Sequence, residues 1–302
     1  MSKASRIGES RLLAEAGFVV MWSSGFIGAK LGTQEAATPA LMAWRFLIAA
    51  GILVGIALLL RRRMPTRKEI AVQGTVGLLA QGVYLAGTVG AVEFGVAAGT
   101  SALVAALQPL LAAALAGPVL GERVAGRQWV GLAVGLAGVA LVVGGDAWAG
   151  DKAPMWAYAM PFFGMAGLVV ATLVERRNTL KEGPMEHDAG MTMDVALAIQ
   201  CSASALLFAV LAMFWGGIEP SGGMHFWVSV AWFIVFSTFG GYGFYWLNLK
   251  RSGVTRVSSL IYLTPPTTMV WAYLMFGERA GSLAFLGLLI CFVGVVLANR
   301  SQ

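Results

Sequence analysis

The chain has 302 residues, of which 58% are hydrophobic and 12% charged, with 39 glycines and a formal net charge of +6. Soluble domains carry roughly 45–50% apolar residues with glycine included and about twice this share of charge. The composition excludes a soluble enzyme with one large core, a disordered chain, a collagen-like repeat and a disulfide-rich secreted scaffold, and it indicates an all-α integral membrane protein.

A helix crosses the hydrocarbon with about 20 mostly apolar residues, and ten runs qualify, near 12–31, 40–60, 70–92, 97–119, 126–144, 155–174, 193–215, 226–248, 255–276 and 282–299. Basic residues precede the first run as they do in a signal peptide. Glu15 interrupts it, however, and no small-x-small cleavage site closes it, so a retained helix is expected. The second run holds Arg45, the one basic residue well inside a span. The third carries Gln81 and Tyr84, the fourth Gln108-Pro109, the eighth Tyr242, and the ninth Tyr262 and Thr264-Pro265-Pro266. Cys201 and Cys291 lie in apolar runs without the paired spacing of a redox or metal motif, so no disulfide, metal or cofactor is expected.

With the N-terminus in the cytoplasm, ten spans place 17 of the 21 basic residues on the cytoplasmic side, including Arg61-Arg62-Arg63 and Lys250-Arg251. Lys30, Lys152 and Arg279 fall on the other side, which satisfies the positive-inside rule with both termini cytoplasmic. This placement also accounts for the basic balance without a nucleic-acid partner; the expected surroundings are the lipid bilayer.

A shift of 156 residues superposes Leu107-x-Pro109 on Leu263-x-Pro265 and Gly121-Glu122-Arg123 on Gly277-Glu278-Arg279. The register continues through Gly131 on Gly287 and Gly138 on Gly294. Two five-span units follow, 1–145 and 155–300, joined by a linker at 146–154. Five is odd, so the second unit enters the membrane inverted. The links agree: Glu93-Phe94-Gly95-Val96 has no basic residue, whereas its counterpart from Lys250 to Arg256 has three. Inverted repeats place a substrate site near the midplane between the halves and supply two related states for alternating access.

The set Trp22-Ser23-Ser24-Gly25-Phe26, Arg45-Phe46, Leu107-Gln108-Pro109 and Gly121-Glu122-Arg123, repeated at constant offset, resembles the drug/metabolite transporter superfamily of EamA type over the whole chain. The resemblance implies a ten-helix exporter of small metabolites, such as amino acids, in a bacterial-type inner membrane. A multidrug or cationic-compound exporter and a lipid-moving or structural membrane protein are the alternatives.

Pro109, Pro265 and Pro266 lie at mid-depth, where a missing backbone donor breaks the hydrogen-bond ladder and frees carbonyls, as at a hinge or substrate site or, alternatively, at a packing kink of the kind membrane helices tolerate. Gln108 and Thr264 would offer hydrogen bonds to a polar cargo. Arg45 either faces the cavity and attracts a carboxylate or snorkels outward to a loop acid such as Glu35. Glu15 either carries a coupling proton or, more economically, pairs with Arg11 four residues earlier on the same helix face. Trp22, Ser23, Gln81, Tyr84, Tyr242 and Tyr262 are further candidates for substrate contact, whereas Trp148, Trp156, Trp227 and Trp246 read as interfacial anchors. The glycines around 131–138 and 287–294 suit close helix approach, within the chain or between two copies in a homodimer. His187 and His225, the two histidines, fall in loops on opposite sides and no phosphate loop occurs, so neither a buried histidine enzyme nor an ATP-driven pump is expected.

Overall fold

The computed structural model describes residues 3–120, 126–148, 153–188, 191–220 and 223–299. The turn Gly121-Glu122-Arg123 and Lys152 lie outside the described residues, as do the side chains of Arg11, Trp148, His187, Trp246, Lys250, Arg251 and Arg256. Among the described residues all regular structure is helical, and each of the ten apolar runs falls on helix.

In chain order the helices are α1 (Lys3–Gly32), α2 (Thr38–Leu59), α3 (Arg67–Gly77), α4 (Tyr84–Glu93), α5 (Ala98–Ala105), α6 (Gln108–Leu120), α7 (Gly126–Trp148), α8 (Met160–Asp188), α9 (Met193–Phe214), α10 (Met224–Trp232), α11 (Tyr242–Ile261), α12 (Thr264–Phe276) and α13 (Ser282–Asn299). Wide π-helical turns join α3 to α4 at Leu78–Val83 and α10 to α11 at Phe233–Gly241. Among the described residues, seven helical stretches are long and apolar enough to cross a membrane; Ala98–Ala112 and Ser282–Leu297 are apolar but shorter. Large side chains such as Leu59, Leu206, Phe214 and Leu289 are exposed over these helices, an arrangement that suits lipid and would be an aggregation surface in water.

Local chemistry sets the helix ends. Pro39 stands in the first turn of α2, where its missing N–H costs nothing, and the Thr38 amide donates to Glu93 Oε2 at 2.8 Å. Thr66 and Glu69 form a capping box at the start of α3. Gly95 (φ 97°) turns the chain between α4 and α5, and Gly277 (φ 68°) closes α12 in the left-handed conformation that glycine adopts without strain.

Two expected links differ. Residues 250–256, expected between spans eight and nine, are helical within α11, and α8 runs beyond its apolar part to Asp188. Apolar content marks only the portion of a helix that faces lipid or core, so a polar helical extension reads as loop.

α7 and α13 pack antiparallel through glycine. A Cβ on Gly287 would stand 2.5 Å from the Gly138 carbonyl oxygen, and one on Gly294 would stand 2.6 Å from that of Gly131. Residues 131 and 138 thus meet 294 and 287 in reverse order, and the same offset of 156 that relates the sequences exchanges the two contacts. Cys291 adds a bond to the Gly135 carbonyl at 3.2 Å. These glycines are consumed in a contact within the chain. α2 packs on α9 across a second interface, where the Phe46 and Phe208 rings stack 5.9 Å apart. Arg45 of α2 and Cys201 of α9, also 156 apart, are both buried there.

Candidate functional site

Both expected interruptions occur where the paired prolines place them. α5 stops at Ala105 and α6 starts at Gln108; α11 stops at Ile261 and α12 starts at Thr264. At each break the chain tightens to an i−3 bond, Leu107 to Val104 (3.1 Å) and Leu263 to Leu260 (3.0 Å), before the ladder resumes from Leu111 to Leu107 and from Thr267 to Leu263. Pro109 and Pro265 have no N–H, so the carbonyls of Ala105 and Ile261 lack their i+4 donors.

Those two residues help line a cavity where α1, α4, α5, α6, α8 and α12 come together, with Trp22, Tyr84, Gln108, Leu168 and Thr264 around it. Its volume is about 10 Å³, close to the least that holds one water. Thr264 is 2% exposed, and its hydroxyl has no hydrogen-bond partner among the described residues. The Thr268 hydroxyl, one turn further along α12, is likewise buried and unpartnered. Ser23 donates weakly to the Thr264 carbonyl (3.4 Å), and Gln108 Nε2 reaches Thr172 Oγ1 at 3.5 Å. An unsatisfied buried hydroxyl costs roughly 1–3 kcal/mol, so the cavity wall holds hydrogen-bonding capacity that a polar guest would use.

A second polar group lies alongside. Gln81, on the first π-helical turn, donates to Tyr242 Oη at 3.3 Å and to Gln200 Oε1 at 3.1 Å. Gln200 in turn donates to Gln73 (2.7 Å), and Gln73 to the Glu175 carboxylate (3.1 Å). Tyr242 meets Trp22 edge-on with ring centroids 6.1 Å apart, which ties this chain of amides to the cavity wall.

Arg45 departs from the outward alternative. It is 3% exposed and donates to Thr238 Oγ1 (3.2 Å) and Ser237 Oγ (3.4 Å) on the second π-helical turn, not to Glu35. Its guanidinium lies 4.8 Å from the Phe46 ring centroid and 4.6 Å from that of Phe233. Hydroxyls and two ring faces offset part of the cost of desolvating a guanidinium, whose charge persists at any physiological pH. Among the described residues no carboxylate completes the set.

Tyr262 is also placed differently from a central contact. With Pro265 and Pro266 it lines a separate apolar cavity of about 290 Å³ between α5, α12 and α13. The sequence-based candidates therefore fall into three neighbouring groups: Trp22, Ser23, Tyr84, Gln108 and Thr264 at the centre, with Pro109 in the turn below; Arg45, Gln81 and Tyr242 beside it; Tyr262, Pro265 and Pro266 on the flank. Thr268, Gln200, Gln73, Ser237 and Thr238 were not singled out from the sequence. Polar side chains inside apolar runs are the signal that could have found them.

The sequence profile of the EamA-like transporter family matches residues 12–144 and 189–300. The chain belongs to the EamA-like transporter family. Among relatives of this EamA-type protein, a probable terminal-alkyne amino-acid exporter of Streptantibioticus cattleyicolor is 29% identical over 93% of this chain and 91% of its own length. A probable amino-acid metabolite efflux pump of Escherichia coli is 25% identical, over 92% and 91% respectively. An uncharacterized inner membrane transporter, YedA, from the same species is 24% identical, over 94% and 88%. A crystal structure covering 97% of both chains shares the fold of this EamA protein at a TM-score of 0.63 and 22% identity.

Proposed function

We propose that this protein is a secondary exporter of small metabolites, amino acids or related compounds, working by alternating access across an inner membrane. One observation carries the reading: two interrupted helices, equivalent at an offset of 156, meet at a central cavity and present Gln108 and Thr264 to it. Broken helices at the repeat interface are a recurrent form of transporter site. A cavity of about 10 Å³ admits no metabolite as it stands, so cargo binding requires the walls to separate, as alternating access provides. In this reading the cargo's polar groups bond Gln108 and Thr264, its body lies against Trp22 and Tyr84, and its carboxylate neutralises Arg45. The amino-acid exporters among the relatives favour such a cargo.

Ten spans in two inverted units remain part of the proposal, with boundaries at 1–145 and 155–300. The antiparallel packing of the equivalent helices α7 and α13 supports inversion. Two ion pairs support the sidedness, because each joins groups that the ten-span topology places on one face. Lys30 meets Glu278 at 2.8 Å on the outer face, and Arg62 meets Asp194 at 2.9 Å on the cytoplasmic face. A reporter active only in the cytoplasm, fused to the C-terminus, should give signal; an extracytoplasmic result defeats the topology.

The transport test is counterflow in proteoliposomes. Gln108→Ala at equal incorporation should lower saturable uptake of an amino-acid cargo by roughly tenfold, the equivalent of one hydrogen bond of about 1.4 kcal/mol. Unchanged flux moves the site away from the α5–α6 break.

A further inference from the structure

We propose that the flanking apolar cavity is a second compartment of the cargo site, and that it takes the hydrocarbon chain of an amphipathic cargo whose polar head is held at Gln108 and Thr264. The inference rests on the transport reading above and adds a cargo class to it: small zwitterions or carboxylates carrying an unbranched apolar chain of several carbons.

The two cavities share a wall. Ala106 lines both, and on the other side of the break Thr264 faces the central cavity while Tyr262, Leu263 and Pro265 face the flanking one. The residues of the two interrupted turns thus divide between the compartments, Gln108 and Thr264 on one side and Leu107, Tyr262 and Leu263 on the other, with Ala106 common to both walls. These are the places where the helical ladder is already open, so a separation that admits cargo at the centre also joins the compartments. The flanking cavity holds about 290 Å³ against about 10 Å³ at the centre. Its wall is otherwise hydrocarbon, from Leu103, Leu107, Leu288 and Phe292 among others, and Tyr262 places its phenol in that wall beside the break. An apolar chain gains burial there, whereas a second polar group would lose its hydrogen bonds. Leu289 and Phe292 at the outer rim are more than half exposed and face the lipid side, so a phospholipid acyl chain is the competing occupant.

The experiment is proteoliposome uptake of a series of 2-amino acids with unbranched side chains from methyl to hexyl, corrected with protein-free liposomes. In the wild type, apparent affinity should rise about fourfold per methylene until the compartment is filled. Leu289→Trp, which narrows the rim at an exposed position, should reduce the hexyl-to-methyl uptake ratio at least tenfold. A variant that merely misfolds lowers both uptakes and leaves their ratio, and the wild-type series decides the matter alone if the variant fails to incorporate. Robust uptake with no dependence on chain length overturns the second compartment and leaves the exporter reading standing, as does bound phospholipid that is lost in Leu289→Trp together with a flat profile. Uptake of no member of the series overturns both.

Discussion

Replacing Gly287 with valine removes most of the folded protein. A Cβ at this position meets the Val142 Cγ2 methyl and stands 2.5 Å from the Gly138 carbonyl oxygen; the second obstacle is backbone and cannot rotate aside. α7 and α13 must then separate along the whole line on which Gly131, Gly135 and Gly138 face Gly294, Cys291 and Gly287. Overpacking typically costs 1–3 kcal/mol where side chains can yield and more where they cannot. Membrane helices gain little from hydrophobic burial against one another, so close backbone approach supplies a large share of their association energy. The amount of monodisperse protein recovered in mild detergent should fall several-fold. Gly144→Val, on the same helix α7 but with open space around its Cβ, should leave the yield unchanged. Equal yields for the two variants would show that this glycine contact does not hold α7 and α13 together.

Arg45→Gln should abolish most uptake of a carboxylate-bearing cargo, by roughly tenfold to a hundredfold, while sparing an amine analogue without the carboxylate. The estimate is that of a hydrogen bond to a charged group, about 1.5–3 kcal/mol. Lysine should not rescue, because a compact ammonium neither lies between the Phe46 and Phe233 rings nor reaches Ser237 and Thr238 together as a planar fork does. The paired substrates separate recognition from folding: a variant damaged in packing alone loses both uptakes in proportion. Equal loss for the two compounds would make Arg45 a structural cation.

Much of the fold is legible in the sequence. The tenth apolar run, 282–299, coincides with α13, and 193–215 with α9 within a residue, because an apolar run bounded by polar residues marks such a helix by its composition alone. The breaks before Pro109 and Pro265 were legible for a similar reason, since a missing N–H acts whatever its surroundings. What stayed hidden depends on facing. A helix that is apolar all round has no stripe to mark its inner side. Nothing in the run around Tyr262 said that its phenol would turn to the flank while Thr264, two residues on, turned to the centre. The π-helical turns at Leu78–Val83 and Phe233–Gly241 carry no proline, and the glycines and hydroxyl residues within them do not say which way a side chain will face, yet they aim Gln81, Ser237 and Thr238 into the protein. Arg45 was legible as an anomaly of charge, but its partners, some 190 residues away in the chain, are fixed only by tertiary packing.

The pairing of Arg45 with Cys201 has an energetic meaning. In a carrier made of two chemically identical inverted halves, the form open to one side and the form open to the other are the same structure with the halves exchanged, and their free energies are equal. Such a carrier dwells as long facing in as facing out. Here the corresponding positions on the two packed helices hold a guanidinium in α2 and a neutral thiol in α9, so in the alternating-access reading proposed above the exchange alters the conformation in which the charge must be sheltered. A difference of about 1.4 kcal/mol in that cost already makes one facing state ten times as populated as its counterpart. Under that reading, the resting side of the empty carrier would follow from one residue of the first unit and its uncharged equivalent in the second.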